Sequence, residues 1–399
     1  MSGPMLARLR LIVGDDVATG PDGRPRVAPR SVDALAATLG TASEEGWTIR
    51  VEGMGSWLAP DAPADLAITT RRLDRILSVA PADLVATVQG GVTLRRLSEK
   101  LAEHRTHVAL DPPGSPDRSV GSVLATATAG PAAHRFGPVR DSVLGTTIAT
   151  ADGKLVRSGG SVVKNVAGFD LSKVQVGGFG AFGVIAETHI RLRALPASSR
   201  TIVARGDLDP LFNAARAIVA ASVDTTIVEL YATGPGGRWT LVVETAGTEQ
   251  GAAIEEARAR EVGEVPFAPA ESRSTVHAFG ESMTEGPVTL RVGVLPASLP
   301  EIADLVEGSL GAGRVSLSAG RGGLRWSGAP TAAAIVALRR TLAAQEIPLT
   351  VERGPWALRQ AVGHFGAFRE GVRPLSNRVR DVFDPKRLLA VALEGRSDG

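Results

Sequence analysis

Apolar positions along this chain switch repeatedly between helical and strand spacing, and the switches fall at glycines. Val32, Leu35 and Leu39 recur at helical spacing after Ser31, with Asp33 in the first turn. That pattern predicts a helix capped by Ser31 and ended by Gly46. Residues 47–51 then read as a short strand running into Glu52-Gly53-Met54-Gly55-Ser56, a helix–strand–glycine-loop unit. Residues 85–88 (VATV) form a second strand entering Gln89-Gly90-Gly91, after which Thr93 caps a helix with Leu94, Leu97 and Leu101 on one face. Residues 143–150 and 154–157 flank Asp152-Gly153, a hairpin signal. Beyond Pro196 the spacing predicts helices over 207–222, 250–262 and 331–344, with strands over 227–231, 239–244 and 288–294. This loose β-β-α repetition implies an α+β second domain with an antiparallel sheet. No sequence repeat of fixed period is visible.

The densest signal is the segment 159–192, GGSVVKNVAGFDLSKVQVGGFGAFGVIAETHIRL, with glycines at 168, 177, 178, 180 and 183 among Val, Phe and Ile. Lacking Cβ, glycine lets backbone approach a flat ligand or take φ > 0. Gly178 to Gly183 fits G-x-G-x-x-G, but that dinucleotide fingerprint has a mechanism only where a helix follows. Here Ile190 and Leu192 alternate with His189, Arg191 and Arg193, which is strand periodicity, and Pro196 closes the segment. The Rossmann reading therefore fails.

Composition narrows the picture. At 399 residues two domains are expected, and 44% hydrophobic with 22% charged residues is a globular balance. A net charge of +2, with no basic run interleaved with aromatics, gives no sign of nucleic acid binding. The chain has no cysteine, which excludes disulfides, thiolate metal sites, cysteine nucleophiles, cysteinyl-flavin links and iron–sulfur clusters held by this chain. The apolar stretch 9–13 is too short for a signal peptide, and no run is long enough to span a bilayer. A cytoplasmic location is expected, or one peripheral to the inner membrane through partners.

Taken in order, the loop 53–57, the Gln-Gly-Gly turn, DPPGSPDRSVGSVLATATAG (111–130), FGPVRDSVLGTTIATADG (136–153) and the glycine segment resemble the FAD-binding domain of the vanillyl-alcohol-oxidase/PCMH flavoprotein superfamily. Within it, VVKNVAGFDLSKVQVGGFGAFGVIAE is similar to the FAD-binding E-subunit family of bacterial glycolate oxidases. The likeness is dense from about 28 to 196, thin over 197–350, and returns weakly at Val382-Phe383-Asp384-Pro385. It implies an α+β chain: a PCMH-type FAD-binding domain of two α/β subdomains over 1–196, a smaller α+β cap domain with an antiparallel sheet over 197–350, and a segment 351–399 returning to the first domain.

The resemblance also assigns cofactor residues. Gly53, Met54, Gly55, Ser56 and Trp57 would wrap the FAD pyrophosphate with main-chain N–H groups. Ser119, Val120, Gly121, Ser122, Ala125, Thr126 and Thr128 match a second phosphate and flavin region, and Gly137, Arg140 and Asp141 match G-x-x-R-D. Asn165, Gly168 and Asp170 match N-x-x-G-x-D, while Gly178, Gly180, Gly183 and Ile185 match positions passing over adenine and ribitol. The family's loop commonly ends in Gly-His-Ser or Gly-Thr-Ser, and a histidine there can carry flavin covalently; Gly53 to Trp57 has none, so non-covalent FAD is implied.

The bland alternatives are clear. Arg140–Asp141 also reads as a surface ion pair, and His104 and His107, three apart, as a solvated helix end without a metal. The five tryptophans read as packing residues. His364 and Arg291 are the candidate catalytic residues: a late histidine near substrate against a structural one, and an arginine pairing a substrate carboxylate against an exposed strand arginine. The implied activity is oxidation of a 2-hydroxy acid such as glycolate to glyoxylate, hydride passing to flavin N5 while a base takes the hydroxyl proton. The implied partners are an iron–sulfur subunit and a second FAD subunit. A flavin-bearing relay or assembly subunit, and a stand-alone oxidase or dehydrogenase for another alcohol or sugar, remain open.

Overall fold

The computed structural model describes residues 2–20, 22–58, 60–160, 170–232, 238–270, 272–366, 371–393 and 395. Ser31 Oγ accepts from Ala34 N at 3.1 Å and opens the helix Val32–Glu45; Gly46, at φ 71°, returns its N–H to Ala42 O and ends it. Leu35, Leu39 and Ala42 on its inner face are fully buried against a four-stranded sheet. The strands lie in the order Val17–Thr19, Pro25–Val27, Leu66–Thr69, Ile49–Glu52. The outer pair is antiparallel and the other two pairings are parallel. Leu66–Thr69, between parallel neighbours, is buried at every position, as parallel strands usually are. The 53–58 loop leaves the C-terminal end of Ile49–Glu52, the end of parallel strands where ligands bind.

A second, wholly antiparallel sheet orders Ile76–Ala80, Val85–Gln89, Val184–Ala194, Val143–Ala149 and Leu155–Gly159, and Thr106–Val108 pairs with the far half of Val184–Ala194. The strand after the glycine segment is thus the central strand of this sheet. Thr93 caps Leu94–Ala102, whose Leu94, Leu97 and Leu101 face the core.

The third sheet has eight strands in the order Ala268–Ala270, Ser198–Gly206, Trp239–Gly247, Thr225–Ala232, Gly313–Ser318, Gly323–Gly328, Val288–Gly293, Leu349–Arg353. Strands 198–270 and 288–353 are two β-α-β-β-α-β units, mirrored in the sheet and joined edge to edge by Thr225–Ala232 and Gly313–Ser318. The duplication is one of apolar spacing and not of residue identity, so no fixed sequence period announces it. Strand Leu349–Arg353 still belongs to this sheet, so the return to the first unit begins after it and not at 351. The returning chain pairs with Ile49 on both sides (Ile49 N to Leu388 O and Ala390 N to Ile49 O, each 2.8 Å) and with Ala151 through Phe383 O. No helix among the described residues is long and apolar enough to cross a membrane.

Candidate functional site

A cleft lies between the first two sheets and is closed by residues 359, 364 and 389–391 of the returning chain. One wall is the 53–58 loop. Among the described residues, none of its main-chain N–H groups from Gly53 to Leu58 donates a hydrogen bond within the protein. Free N–H groups beside a cleft form an anion-binding concavity. Gly55, at φ 73°, and Gly180, at φ 84°, both line the cleft, and a Cβ on Gly180 would meet nothing within 4 Å. The opposite wall starts at Ser119, whose Oγ accepts from Ser122 N at 3.3 Å and caps Val120–Thr126. Gly121 lets that helix start press on the Gln-Gly-Gly turn: its N–H donates to Gly90 O at 2.8 Å, and a Cβ would sit 2.8 Å from the same oxygen.

Of the residues expected to touch the cofactor, the cleft gathers Gly53, Gly55, Trp57, Gly121, Ser122, Ala125, Thr126, Gly180, Gly183 and Ile185. Met54 and Ser56 sit in the loop without lining the cleft. Ser119 acts as the helix cap, Val120 is core, and Thr128 is buried behind the wall, accepting from Arg118 at 3.2 Å. Gly178 packs under the Phe182 ring. Gly137 packs on Asp141, and Arg140 and Asp141 are exposed, 3.8 Å apart, away from the cleft, so the plain surface-pair geometry applies to them. Asp170 is exposed and pairs with Lys173 at 3.4 Å. Asn165 and Gly168 lie outside the described residues. Sequence reasoning missed Thr70, Gln175, Phe179, Arg359 and 389–391 in this lining, which carry no local motif.

His364 lines this cleft. It is 1% exposed and stacks on Phe179, ring centroids 4.0 Å apart. Its Nδ1 is 2.8 Å from Val351 O; a carbonyl only accepts, so Nδ1 carries the proton and Nε2 is a bare acceptor. Burial pushes its pKa down to about 3, so the ring is neutral at physiological pH.

A second cavity opens on the eight-stranded sheet, lined by Glu229, Ser318, Arg291, Arg321 and Arg325, with Ala129 from the first unit. Arg325 grips the fully buried Glu352 through Nε at 2.7 Å and Nη2 at 3.3 Å, and also donates to Ala129 O at 3.0 Å. Arg291, expected as a carboxylate partner, pairs with Glu352 at 3.1 Å. Burial alone would raise the Glu352 carboxyl; Arg325 and Arg291 outweigh it and hold the group below its usual range. The exposed Arg321 has no carboxylate partner among the described residues and donates to Ser318 Oγ at 3.3 Å. Trp57 links the first cavity to Glu352, the residue held by two arginines of the second. Its ring lines the first, its Nε1 donates to Glu352 O at 3.0 Å, and the fully buried Arg118 guanidinium lies 4.0 Å from its ring centroid. Among the described residues no group of three or more His, Asp or Glu is placed to hold a metal.

Residues 25–159 match the FAD binding domain family. An uncharacterized FAD-linked oxidoreductase of Mycobacterium tuberculosis is 30% identical over 221 residues, 54% of this chain and 48% of that protein. Glycolate oxidase subunit GlcE of Escherichia coli is 37% identical over 128 residues, 32% of this chain and 37% of that protein. The chain therefore spans about half, or less, of the length of these curated relatives. Among solved structures, alkyldihydroxyacetonephosphate synthase superposes with a TM-score of 0.74 over 98% of this chain and 85% of its own, at 13% identity, a likeness of fold. The free N–H groups of the 53–58 loop, the bare Cα of Gly180 and the domain match agree: this chain has the fold of the PCMH-type FAD-binding superfamily, and its cofactor is FAD.

Proposed function

We propose that this chain is an FAD-dependent oxidoreductase subunit acting on a small 2-hydroxy acid such as glycolate, within a glycolate oxidase-like complex. The observation that carries the reading is the arginine-lined cavity, whose Arg291 and Arg325 pair with Glu352, the residue whose main-chain carbonyl accepts from Trp57 of the cofactor cleft. Arg321, free of a carboxylate partner among the described residues, suits a substrate carboxylate. The 53–58 N–H groups would hold the pyrophosphate, and Gly55 and Gly180 leave room for the dinucleotide. FAD, when bound, supplies the hydride acceptor. The chain's own residues orient the acid, exclude water and take its hydroxyl proton. Attachment is non-covalent in this reading, because the loop has no histidine and the chain no cysteine. The resemblance to glycolate oxidase subunits puts the next electron carrier on an iron–sulfur partner, since this chain has no cysteine to hold clusters of its own. The test is a visible spectrum of the purified chain, then anaerobic addition of glycolate and of D-lactate. Acid-releasable FAD that either acid bleaches supports the reading; FAD that neither bleaches overturns it.

His364 belongs to cofactor binding in this reading, its Nε2 accepting from FAD. One lost hydrogen bond of about 1 kcal/mol predicts that His364→Ala weakens FAD roughly fivefold to tenfold, with His364→Gln restoring part of it. Because the ring is neutral down to about pH 3, the wild-type affinity should carry no histidine titration between pH 5 and 8. Quenching of flavin fluorescence during titration of apoprotein measures both.

A further inference from the structure

The second cavity contains one carboxyl group that the arginine network leaves unpaired. Glu229 sits mid-strand in Thr225–Ala232 and is 4% exposed, yet it lines the cavity. A carboxylate in that position ordinarily recruits an arginine. Here the ion pairs go elsewhere: Arg325 and Arg291 are committed to Glu352. Among the described residues Glu229 hydrogen-bonds only a hydroxyl, Ser318 Oγ, at 2.8 and 3.0 Å from its two oxygens, while Arg321 and Arg325 act on it through charge without an ion pair. That hydroxyl accepts from Arg321 Nη2, which turns its own hydrogen toward Glu229. A guanidinium facing the cavity, a hydroxyl and a buried carboxyl thus stand in line.

We infer that Glu229 is the group in this cavity that accepts the hydroxyl proton of a bound 2-hydroxy acid whose carboxylate is held by Arg321. The inference rests on the reading proposed above. In the step, the substrate O–H bond breaks and its proton goes to a Glu229 oxygen. The O–H electron pair becomes the second C–O bond of the oxo acid, and the α-hydrogen leaves with its electron pair to the oxidant, FAD. The charges around Glu229 suit the task. Burial raises its pKa to about 7, a rise that Asp111 reinforces and that Arg321, Ser318 and Arg325 limit. Asp111 is itself raised to about 6 by burial, the Tyr231 hydroxyl is pushed well up by burial and Glu229, and burial and Arg321 lower the pKa of His134. A base with a pKa near the working pH is the most effective kind.

The test compares FAD-loaded wild type with Glu229→Gln and Ser318→Ala. Flavin reduction by D-lactate or glycolate in a single turnover should fall roughly 100-fold or more in Glu229→Gln, the usual range for a lost general base. In wild type the rate should rise with pH through an apparent pKa near 7. Ser318→Ala removes a bond that favours the charged carboxylate, so that pKa should move up; a purely structural role would leave it in place. A second readout needs no turnover. Binding of oxalate, which has no C–H bond to oxidise, places negative charge beside Glu229 and should draw a proton from solution at pH 7 in wild type and none in Glu229→Gln. Calorimetry in buffers of different ionisation enthalpy reads this. Glu229→Gln reducing its flavin at the wild-type rate, or taking up the same proton, overturns the role of Glu229 while leaving the proposed function standing. Wild-type flavin that neither acid reduces overturns both.

Discussion

Glu352→Gln should cost this protein about 3–5 kcal/mol, the usual result of breaking a buried ion pair from one side. Glu352 is 0% exposed, accepts from Arg325 and forms an ion pair with Arg291, and it also offsets the fully buried Arg118. Glutamine fills the same volume, so packing survives while Arg118 and Arg325 are left buried without a counter-charge. Arg118 already shows the strain: burial brings its pKa down to about 9, with Glu352 opposing that fall. The pH dependence follows from the sign of the Glu352 shift. Its folded pKa lies below the ordinary 4.5, so its stabilisation is present above that value and is lost as pH falls through the folded pKa. Urea unfolding at pH 7 should show the full loss in Glu352→Gln, and the difference from wild type should shrink under acid. Adding Arg325→Gln to the variant should recover part of the loss. A variant within about 1 kcal/mol of wild type would mean that the arginines do not depend on this carboxylate.

The elements most easily read from the sequence were those whose signals are local. Ser31 and Gly46 bracket a helix because a hydroxyl cap and a left-handed glycine act within one turn. Asp152-Gly153 makes its hairpin for the same reason. The glycine segment gave a cofactor wall, yet its glycines divide the work in a way spacing does not reveal. Gly183 is needed because a Cβ would press on Ala149 O at 2.7 Å, whereas Gly180 borders open cleft. What stayed hidden depends on long-range contact. Trp57 meets Glu352, and Arg325 meets Ala129, across nearly 300 and nearly 200 residues respectively. Glu229 looked like any charged residue in a strand; only the sheet register that sets Tyr231 against Ser316 and Leu230 against Leu317 brings it to Ser318. His364 reads in the sequence as either a structural or a substrate histidine, because its neighbours in sequence are silent about which cavity the returning chain closes.

Gly180→Val should leave a folded protein that has lost most of its FAD. At φ 84° a β-branched side chain pays about 1–3 kcal/mol of backbone strain, and here its methyl groups would also project into the cleft. Strain and occlusion can be separated inside this chain. Gly23 has φ 74°, and a Cβ there also meets nothing within 4 Å, but it sits in the turn ahead of Pro25–Val27 and does not line the cleft. Gly23→Val therefore carries a similar backbone penalty with no obstruction. Thermal unfolding should fall by similar amounts in the two apoproteins. FAD affinity, titrated by fluorescence quenching, should drop roughly 100-fold or more in Gly180→Val, in line with some 3 kcal/mol at the cleft, and stay near wild type in Gly23→Val. If both variants bind FAD like wild type, the cofactor does not pass over Gly180. If both lose it equally, the loss reports general unfolding and the glycine's open side has no special tie to the ligand.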